Sequence, residues 1–157
     1  MSFEVTHVRT PEEIAAALAV RKRVFVEEQQ VPIDEEIDRY DDQPWTRNDV
    51  VHVIGTLDGA VIATARLLLD TSAGGYPHIA RVAVLQEQRG RGYGRGVMLA
   101  LQDDARARGF AGVTLGAQLH AIPFYERLGY IARGPVFLDA GIEHRDMDLV
   151  FEGVSRR

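Results

Sequence analysis

The sequence predicts a mixed α/β domain, with a central sheet of about seven strands and helices on both of its faces. Three observations lead to this prediction. A length of 157 residues suits one domain, so residues 1–157 are expected to form a single unit. Short runs rich in β-branched residues alternate with segments of helical periodicity. Hairpin-linked strands come first and strand–helix–strand units follow, in the order β-α-β-β-β-α-β-α-β-β.

Alternating or continuous apolar runs predict the strands, and apolar residues at helical spacing predict the helices. The seven predicted strands lie at 3–8, 50–57, 60–69, 78–85, 112–119, 130–138 and 143–151. The three predicted helices lie at 11–28, 97–108 and 121–128. The dipeptide Asp58-Gly59 indicates a two-residue hairpin turn. The strand–helix–strand unit from 78 to 119 predicts a right-handed parallel crossover.

The first helix has a clear start signal. Thr10 can cap the free N–H groups, Pro11 suits the first helical position, and Glu13 can close a capping box. The polar segment that follows this helix, at 34–49, is interpreted as an ordered surface loop with room for a short helical turn. Arg66, on the third predicted strand, faces either solvent or a cleft; the sequence leaves both open.

The composition excludes several classes of function. A net charge of −5 argues against non-specific binding of nucleic acid. The chain has no cysteine, which excludes disulfides, Cys-ligated zinc, iron–sulfur clusters and thiol catalysis. Its five histidines show no metal-ligand spacing, so no metal is expected. There is no apolar run of membrane-spanning length and no signal peptide, so we expect a cytoplasmic protein without a membrane partner.

A segment of eight residues between a predicted strand and a predicted helix is rich in glycine and arginine. Its sequence is Arg89-Gly90-Arg91-Gly92-Tyr93-Gly94-Arg95-Gly96. Glycines let the backbone approach a ligand closely, and a helix start offers free N–H groups to phosphates. The P-loop motif does not fit because no Lys-Ser or Lys-Thr follows, and the dinucleotide fingerprint has a different glycine spacing. A Gly-Arg tract for RNA and a plain surface turn are the other interpretations.

Four short motifs follow one another along the chain. Residues 23–32 form the first, and Val82-Ala83-Val84 followed by Arg89-x-x-Gly92-x-Gly94 forms the second. The third runs Gln118-x-x-Ala121-x-x-Phe124-Tyr125-x-x-Leu128-Gly129-Tyr130, and the fourth is Gly141-Ile142-x-His144. Together they resemble the GCN5-related N-acetyltransferases (GNAT), and the first and last resemble its ElaA-like branch. Two positions depart from the family pattern, with Gln for Asn at 118 and Tyr for Phe at 130.

The resemblance implies an acyl-CoA N-acyltransferase fold, whose mostly antiparallel sheet is splayed between strands 4 and 5, and acetyl-CoA as the donor. Backbone N–H groups from Arg89 to Arg95 would hold the pyrophosphate, and the strand edge at 82–84 would pair with the pantetheine arm. The N–H of Val84 would stabilise the oxyanion. The residues that the resemblance assigns to the coenzyme are Val82, Ala83, Val84, Arg89, Gly90, Arg91, Gly92, Tyr93, Gly94, Arg95, Gln118, Phe124 and Tyr125.

Acetyl transfer to an amine needs a proton donor for the departing thiolate and an acceptor for the amine proton. Tyr125 occupies the family's general-acid position; the other interpretation is a core aromatic beside Phe124. Glu28 and His144 are the candidate bases, and a base acting through water is a third option. Glu28 can also be a solvated helix end, and His144 a partly buried histidine satisfied by a carbonyl.

The expected function is acetyl transfer from acetyl-CoA to a primary amine of a small molecule or peptide, by direct attack in a ternary complex. The alternative is a non-catalytic acyl-CoA sensor on the same fold. The acceptor and the acyl length are left open, and the late strands make a homodimer possible. The segment 27–49 contains nine acids and two bases. It is either a solvated surface or a rim that attracts a cationic amine.

Overall fold

The computed structural model describes residues 2–72 and 74–153. Its sheet has seven strands in the spatial order β1-β2-β3-β4-β5-β7-β6. These strands are β1 (Phe3–His7), β2 (Val50–Leu57), β3 (Ala60–Leu68), β4 (His78–Val84), β5 (Gly112–Gln118), β6 (Ile131–Asp139) and β7 (Ile142–Val150). The helices are α1 (Pro11–Arg21), α2 (Ile33–Glu36), α3 (Tyr93–Ala107) and α4 (Ile122–Arg127). The predicted fold class is confirmed, and the seven strands follow one another along the chain as predicted.

The sheet opens between β4 and β5, which form its parallel pair. Within the described residues, the register joins these two strands at a single pair, His78 with Thr114. This pair lies near the start of β4, so the two strands separate toward their carboxyl ends. The result is a cleft whose mouth lies between Val84 and Gln118, as the family resemblance implied.

Helices cover both faces of the sheet. Ile14 and Ala17 of α1 pack against Ile54 of β2. The neighbouring Gly55 faces the other way, because side chains alternate along a strand. On that second face the ring of Phe3 fills the space beside Gly55, and it also abuts Gly96 of α3. Thus α1 and α3 lie on opposite faces of the sheet.

The glycine-rich segment is more helical than predicted. We expected a helix at 97–108, whereas α3 begins at Tyr93 and includes Gly94 and Gly96 in its first turn. A Cβ atom on Gly96 would lie 2.9 Å from Cε2 of Phe3. Gly96 therefore allows α3 to pack closely against β1. The prediction took this glycine as part of a loop, and so it placed the start of the helix too late.

The start of α1 follows its sequence signal with one change. The Thr10 hydroxyl accepts a hydrogen bond from the Glu13 N–H at 3.2 Å, as predicted. The Glu13 carboxylate, however, accepts from the N–H of Arg9 at 2.8 Å and not from that of Thr10. After Arg21 the helix continues as a π-helical segment, Lys22–Glu28. We call residues 22–49 the arm.

A network of buried ion pairs fastens the arm to the sheet. Arg21 is 1% exposed; its guanidinium donates to Glu36 at 2.7 Å and to Asp41 at 2.6 Å. Arg66, on β3, donates to Asp41 at 3.1 Å and to Asp38 at 2.6 Å. Arg66 is therefore buried beneath the arm, and it faces neither solvent nor the cleft. Burial alone would raise the pKa of Asp41, but hydrogen bonding to Arg21 and its charge outweigh burial and lower it.

Removing one partner of this network should be strongly destabilising. We expect Arg21→Met to lower the free energy of unfolding at pH 7 by about 3–5 kcal/mol, because it leaves buried carboxylates uncompensated. Because the pKa of Asp41 is lower in the folded protein than the value of about 3.9 in the unfolded chain, ionised Asp41 stabilises the fold at pH values above about 3.9. This contribution is lost as the pH falls below about 3.9 and Asp41 becomes protonated. The difference between variant and wild type should therefore shrink below about pH 4.

Chemical denaturation of both proteins across pH measures this effect. Arg47→Met is the matched control, since Arg47 makes a bidentate pair with Asp49 at the surface of the arm. The control should change stability little. An equal decrease in the free energy of unfolding for the two variants would contradict the role assigned to the network. A difference between Arg21→Met and wild type that does not change with pH would contradict it too.

Candidate functional site

A β-bulge in β4 shapes one wall of the cleft. The register places Thr64 of β3 opposite Ala83 of β4 and Arg66 opposite Ala80, so three residues of β3 face four residues of β4. Arg81 lies in this bulge with φ at 56°, a left-handed conformation that is rare for a residue with a side chain. Its guanidinium donates to the arm, to the Glu36 carbonyl at 3.0 Å. The bulge and the arm are therefore tied to each other.

Beyond the bulge, the backbone of β4 faces the opening. The N–H of Leu85 donates to the Ile62 carbonyl on β3 at 2.9 Å. Because backbone groups alternate along a strand, the N–H and carbonyl of Val84 point away from β3 and toward the cleft. The Val84 carbonyl accepts a hydrogen bond from Nε of Arg89 at 2.9 Å. The Val84 N–H is thus aimed at the space between the splayed strands.

The glycine-rich segment presents its backbone to the same mouth. Gly90 and Gly92 have φ values of 78° and 86°, and a Cβ atom on either would meet nothing within 4 Å. The first N–H of α3 that donates along the backbone is that of Gly96, to the Gly92 carbonyl at 3.1 Å. In the described part of the chain, the N–H groups of residues 90–95 make no backbone hydrogen bond. Six consecutive donors at the positive end of a helix form a site suited to phosphate groups.

Phe124 of α4 approaches this segment, and Tyr125 is the next residue of the same helix. The Phe124 ring and a methyl group of Val84 both come within van der Waals reach of Gly94, at 3.4 and 3.5 Å from where its Cβ would be. The Tyr125 ring packs edge-on against those of Phe124 and Tyr130, with centroids 5.0 and 5.9 Å away. Burial raises the pKa of Tyr125 to about 12, so the phenol is protonated at neutral pH. Tyr125 is therefore both a core aromatic and a protonated phenol next to Phe124.

His144 lies opposite Gln118 in the register between β5 and β7. Its Nδ1 lies 2.7 Å from the Ile142 carbonyl oxygen. Since a carbonyl only accepts, we assign the proton to Nδ1, which leaves a lone pair on Nε2. The ring is 8% exposed and stacks on Phe137, with centroids 5.7 Å apart. This histidine is satisfied by a carbonyl and still has a basic nitrogen.

Glu28 is engaged by a residue of the glycine-rich segment. Its two carboxylate oxygens accept from the two terminal nitrogens of Arg89, each at 2.9 Å. Arg89 consequently reaches back to the arm and to Val84, whereas the side chains of Arg91 and Arg95 are exposed beside the free N–H groups. The residues predicted to bind the coenzyme thus lie around one end of the cleft, and the Arg89 side chain is directed to Glu28 and Val84.

Gln29 was not predicted as a site residue. Its Oε1 accepts a hydrogen bond from Nε2 of Gln118 at 2.7 Å, across the mouth of the cleft. Its place in the 23–32 motif was the one available signal. Gln118, predicted to contact the coenzyme, directs its amide to the arm instead in this structure.

The part of the chain that the structure describes contains neither a cluster of metal-ligating residues nor a membrane-spanning helix. In residues 2–72 and 74–153, no group of three or more histidines and carboxylates has the arrangement of a metal site. Over the same ranges, no helix has both the length and the apolar character needed to cross a membrane.

Known proteins resemble this chain in both sequence and fold. The model of the Acetyltransferase (GNAT) family matches residues 15–130. The uncharacterized N-acetyltransferase YjcF of Bacillus subtilis is 35% identical over 140 residues, which cover 88% of this chain and 94% of YjcF. The crystal structure of an acyl-CoA N-acyltransferase from Pseudomonas aeruginosa is 34% identical, with a TM-score of 0.77 and coverage of 94% of this chain and 99% of that one. Escherichia coli ElaA is 27% identical, with a TM-score of 0.80 and the same coverage. The chain belongs to the GNAT family and is an N-acyltransferase.

Proposed function

We propose that this protein transfers an acetyl group from acetyl-CoA to a primary amine of a small molecule or peptide, by direct attack in a ternary complex. The observation that carries the proposal is the set of six free N–H groups at residues 90–95, next to the inward-facing N–H of Val84. Such donors fit a diphosphate at the start of α3 and a carbonyl oxygen at the end of β4. The family membership of the chain supports the same chemistry.

Each part of the donor has a matching feature in the chain. The residues proposed for the pyrophosphate use backbone N–H groups, and Arg91 and Arg95 add positive charge nearby. Val82, Ala83 and Val84 form the cleft-side end of β4, where an extended pantetheine arm would be paired as an added strand. Phe124 would bound the cleft close to Val84.

The proposed transfer forms a nitrogen–carbon bond and breaks the carbon–sulfur bond of the thioester. The Tyr125 hydroxyl gives its proton to the departing sulfur, and its raised pKa keeps that proton in place until negative charge develops. Nε2 of His144 accepts the proton that the amine loses, directly or through water. Glu28 is the second candidate for this step, although Arg89 occupies both of its oxygens.

The donor site can be tested by filling the space above a glycine. We expect Gly92→Val to weaken CoA binding by about tenfold or more, because a side chain there blocks the approach of phosphate to the backbone. Titration calorimetry with CoA measures the change. Gly109→Val is the control, since Gly109 has nearly the same φ, 87° against 86°, and equally open surroundings at the far end of α3. Wild-type affinity in Gly92→Val would remove the segment from the donor site.

The general acid can be tested by removing one oxygen atom. We expect Tyr125→Phe to lower kcat by about 10- to 1,000-fold, the scale of a lost general acid, while CoA affinity changes little. The assay follows thiol release from acetyl-CoA across a panel of polyamines, amino sugars, peptides and aminoglycoside antibiotics. An unchanged kcat would contradict the role of Tyr125. A wild-type protein that binds acetyl-CoA and releases no thiol with any amine would be a sensor and not an enzyme.

The base can be identified by comparing two isosteric changes. If His144 takes the amine proton, His144→Gln should lower kcat by about 100-fold or more and flatten the acidic limb of the pH–rate profile. Glu28→Gln keeps that limb in the same place. The opposite pattern, with the limb lost in Glu28→Gln and kept in His144→Gln, would assign the step to Glu28.

A further inference from the structure

Two consecutive residues of the arm contact opposite walls of the cleft. Glu28 pairs with Arg89, whose Nε in turn holds the carbonyl of Val84 at the end of β4. Gln29 accepts from Gln118 at the end of β5. The two strands separate toward these ends, because their register joins them only near the start of β4 within the described residues. Glu28 and Gln29 therefore cross the cleft where it is open.

The glutamine at position 118 is what makes this crossing possible. The family pattern has asparagine there, which is one methylene shorter. A side chain shortened by one carbon–carbon bond of about 1.5 Å would extend the 2.7 Å contact beyond hydrogen-bonding distance. The departure from the family pattern thus coincides with a contact that the usual residue could not make.

The backbone of the arm is shaped for this contact. Residues 22–28 form a π-helical segment, a form that often occurs at functional sites. The N–H of Gln29 donates to the Val24 carbonyl at 3.2 Å, which closes the last wide turn. Gln30 follows with φ at 63°, so the chain reverses sharply after the crossing. These features present the Gln29 side chain toward β5 at the place where the arm turns.

The crossing is held weakly. The Glu28–Arg89 pair is exposed to solvent, and exposed ion pairs contribute little to stability. The Gln29–Gln118 contact is one neutral hydrogen bond in a partly buried position. The remainder of the arm, in contrast, is anchored by buried ion pairs. The crossing can therefore open to admit a ligand while the arm stays attached to the sheet.

We propose that Glu28 and Gln29 form a bridge that closes over the acyl group bound in the cleft and keeps water from it, with Gln29 as a positioning residue that acts through Gln118. The bridge rests on the proposed function, because it needs a thioester between β4 and β5. Closure over a reacting group prevents side reactions such as hydrolysis. Loss of the bridge therefore exposes the thioester to water without removing any donor-binding N–H group.

The test uses hydrolysis of acetyl-CoA in the absence of any amine. We expect Gln29→Ala to raise the rate of thiol release by about tenfold, the factor that corresponds to a lost hydrogen bond, with CoA affinity within about twofold of wild type. Gln118→Asn should also raise the rate of thiol release, because its shorter side chain no longer reaches Gln29. Gln29→Glu should restore the wild-type rate, because a carboxylate oxygen can also accept from Nε2 of Gln118.

Gln30→Ala is the matched control. Its amide bonds locally to the Glu27 carbonyl at 2.9 Å and does not cross the cleft, so hydrolysis should stay at the wild-type rate. Equal rates for Gln29→Ala and Gln30→Ala, or a failure of Gln29→Glu to restore protection, would overturn the bridge. Calorimetry with CoA on the wild-type protein separates the two proposals. Absence of CoA binding contradicts the proposed function, whereas binding with unaltered hydrolysis in Gln29→Ala contradicts the bridge alone.

Discussion

The buried ion pairs beneath the arm are the interaction on which the rest of the site depends. Arg21 and Arg66 are 1% and 2% exposed, and each is compensated by arm carboxylates. Removing charges from water is costly unless their partners are well placed, so this network tolerates few alternative positions of the arm. Arg81 joins the same network from the β4 bulge, with its Nε 3.0 Å from the Glu36 carboxylate. The strand β4 and the arm are thus fixed relative to each other.

The same network changes the meaning of the acidic segment. Residues 27–49 contain nine acids and two bases, a formal charge of 2 − 9 = −7, which suggested a surface for attracting cations. Five of those acids accept from arginines within the chain: Glu28, Glu36, Asp38, Asp41 and Asp49. More than half of the acids are therefore already paired with arginines, and three of them, Glu36, Asp38 and Asp41, hold the arm in place. An attraction for a cationic amine would have to come from the remaining carboxylates, which are Glu27, Asp34, Glu35 and Asp42.

Local features of the sequence were sufficient to predict the strand order and the glycine-rich segment. Hairpin signals, β-branched runs and glycine spacing all act between near neighbours. The features that were missed depend on contacts between distant residues. Gly96 packs against Phe3, and Arg66 is buried by its pairs with Asp38 and Asp41. The residues around each of these positions in the sequence do not indicate such contacts. Gln29 and Gln118 are 89 residues apart, so the hydrogen bond between them could not be derived from either motif alone.

This difference also explains why the donor can be proposed more specifically than the acceptor. Backbone N–H groups would hold the donor, and their placement depends on glycines at 90 and 92 and on the start of a helix, which a short motif encodes. The opposite side of the cleft is built from side chains of the arm, β5 and β7, brought together only by the fold. A family can keep the backbone N–H groups while it varies the side chains on the opposite side of the cleft, because function depends on the site and not on the fold. In this chain Gln118 also contacts the arm through Gln29, so a single added methylene group links the motif proposed for the donor to the arm proposed to cover it.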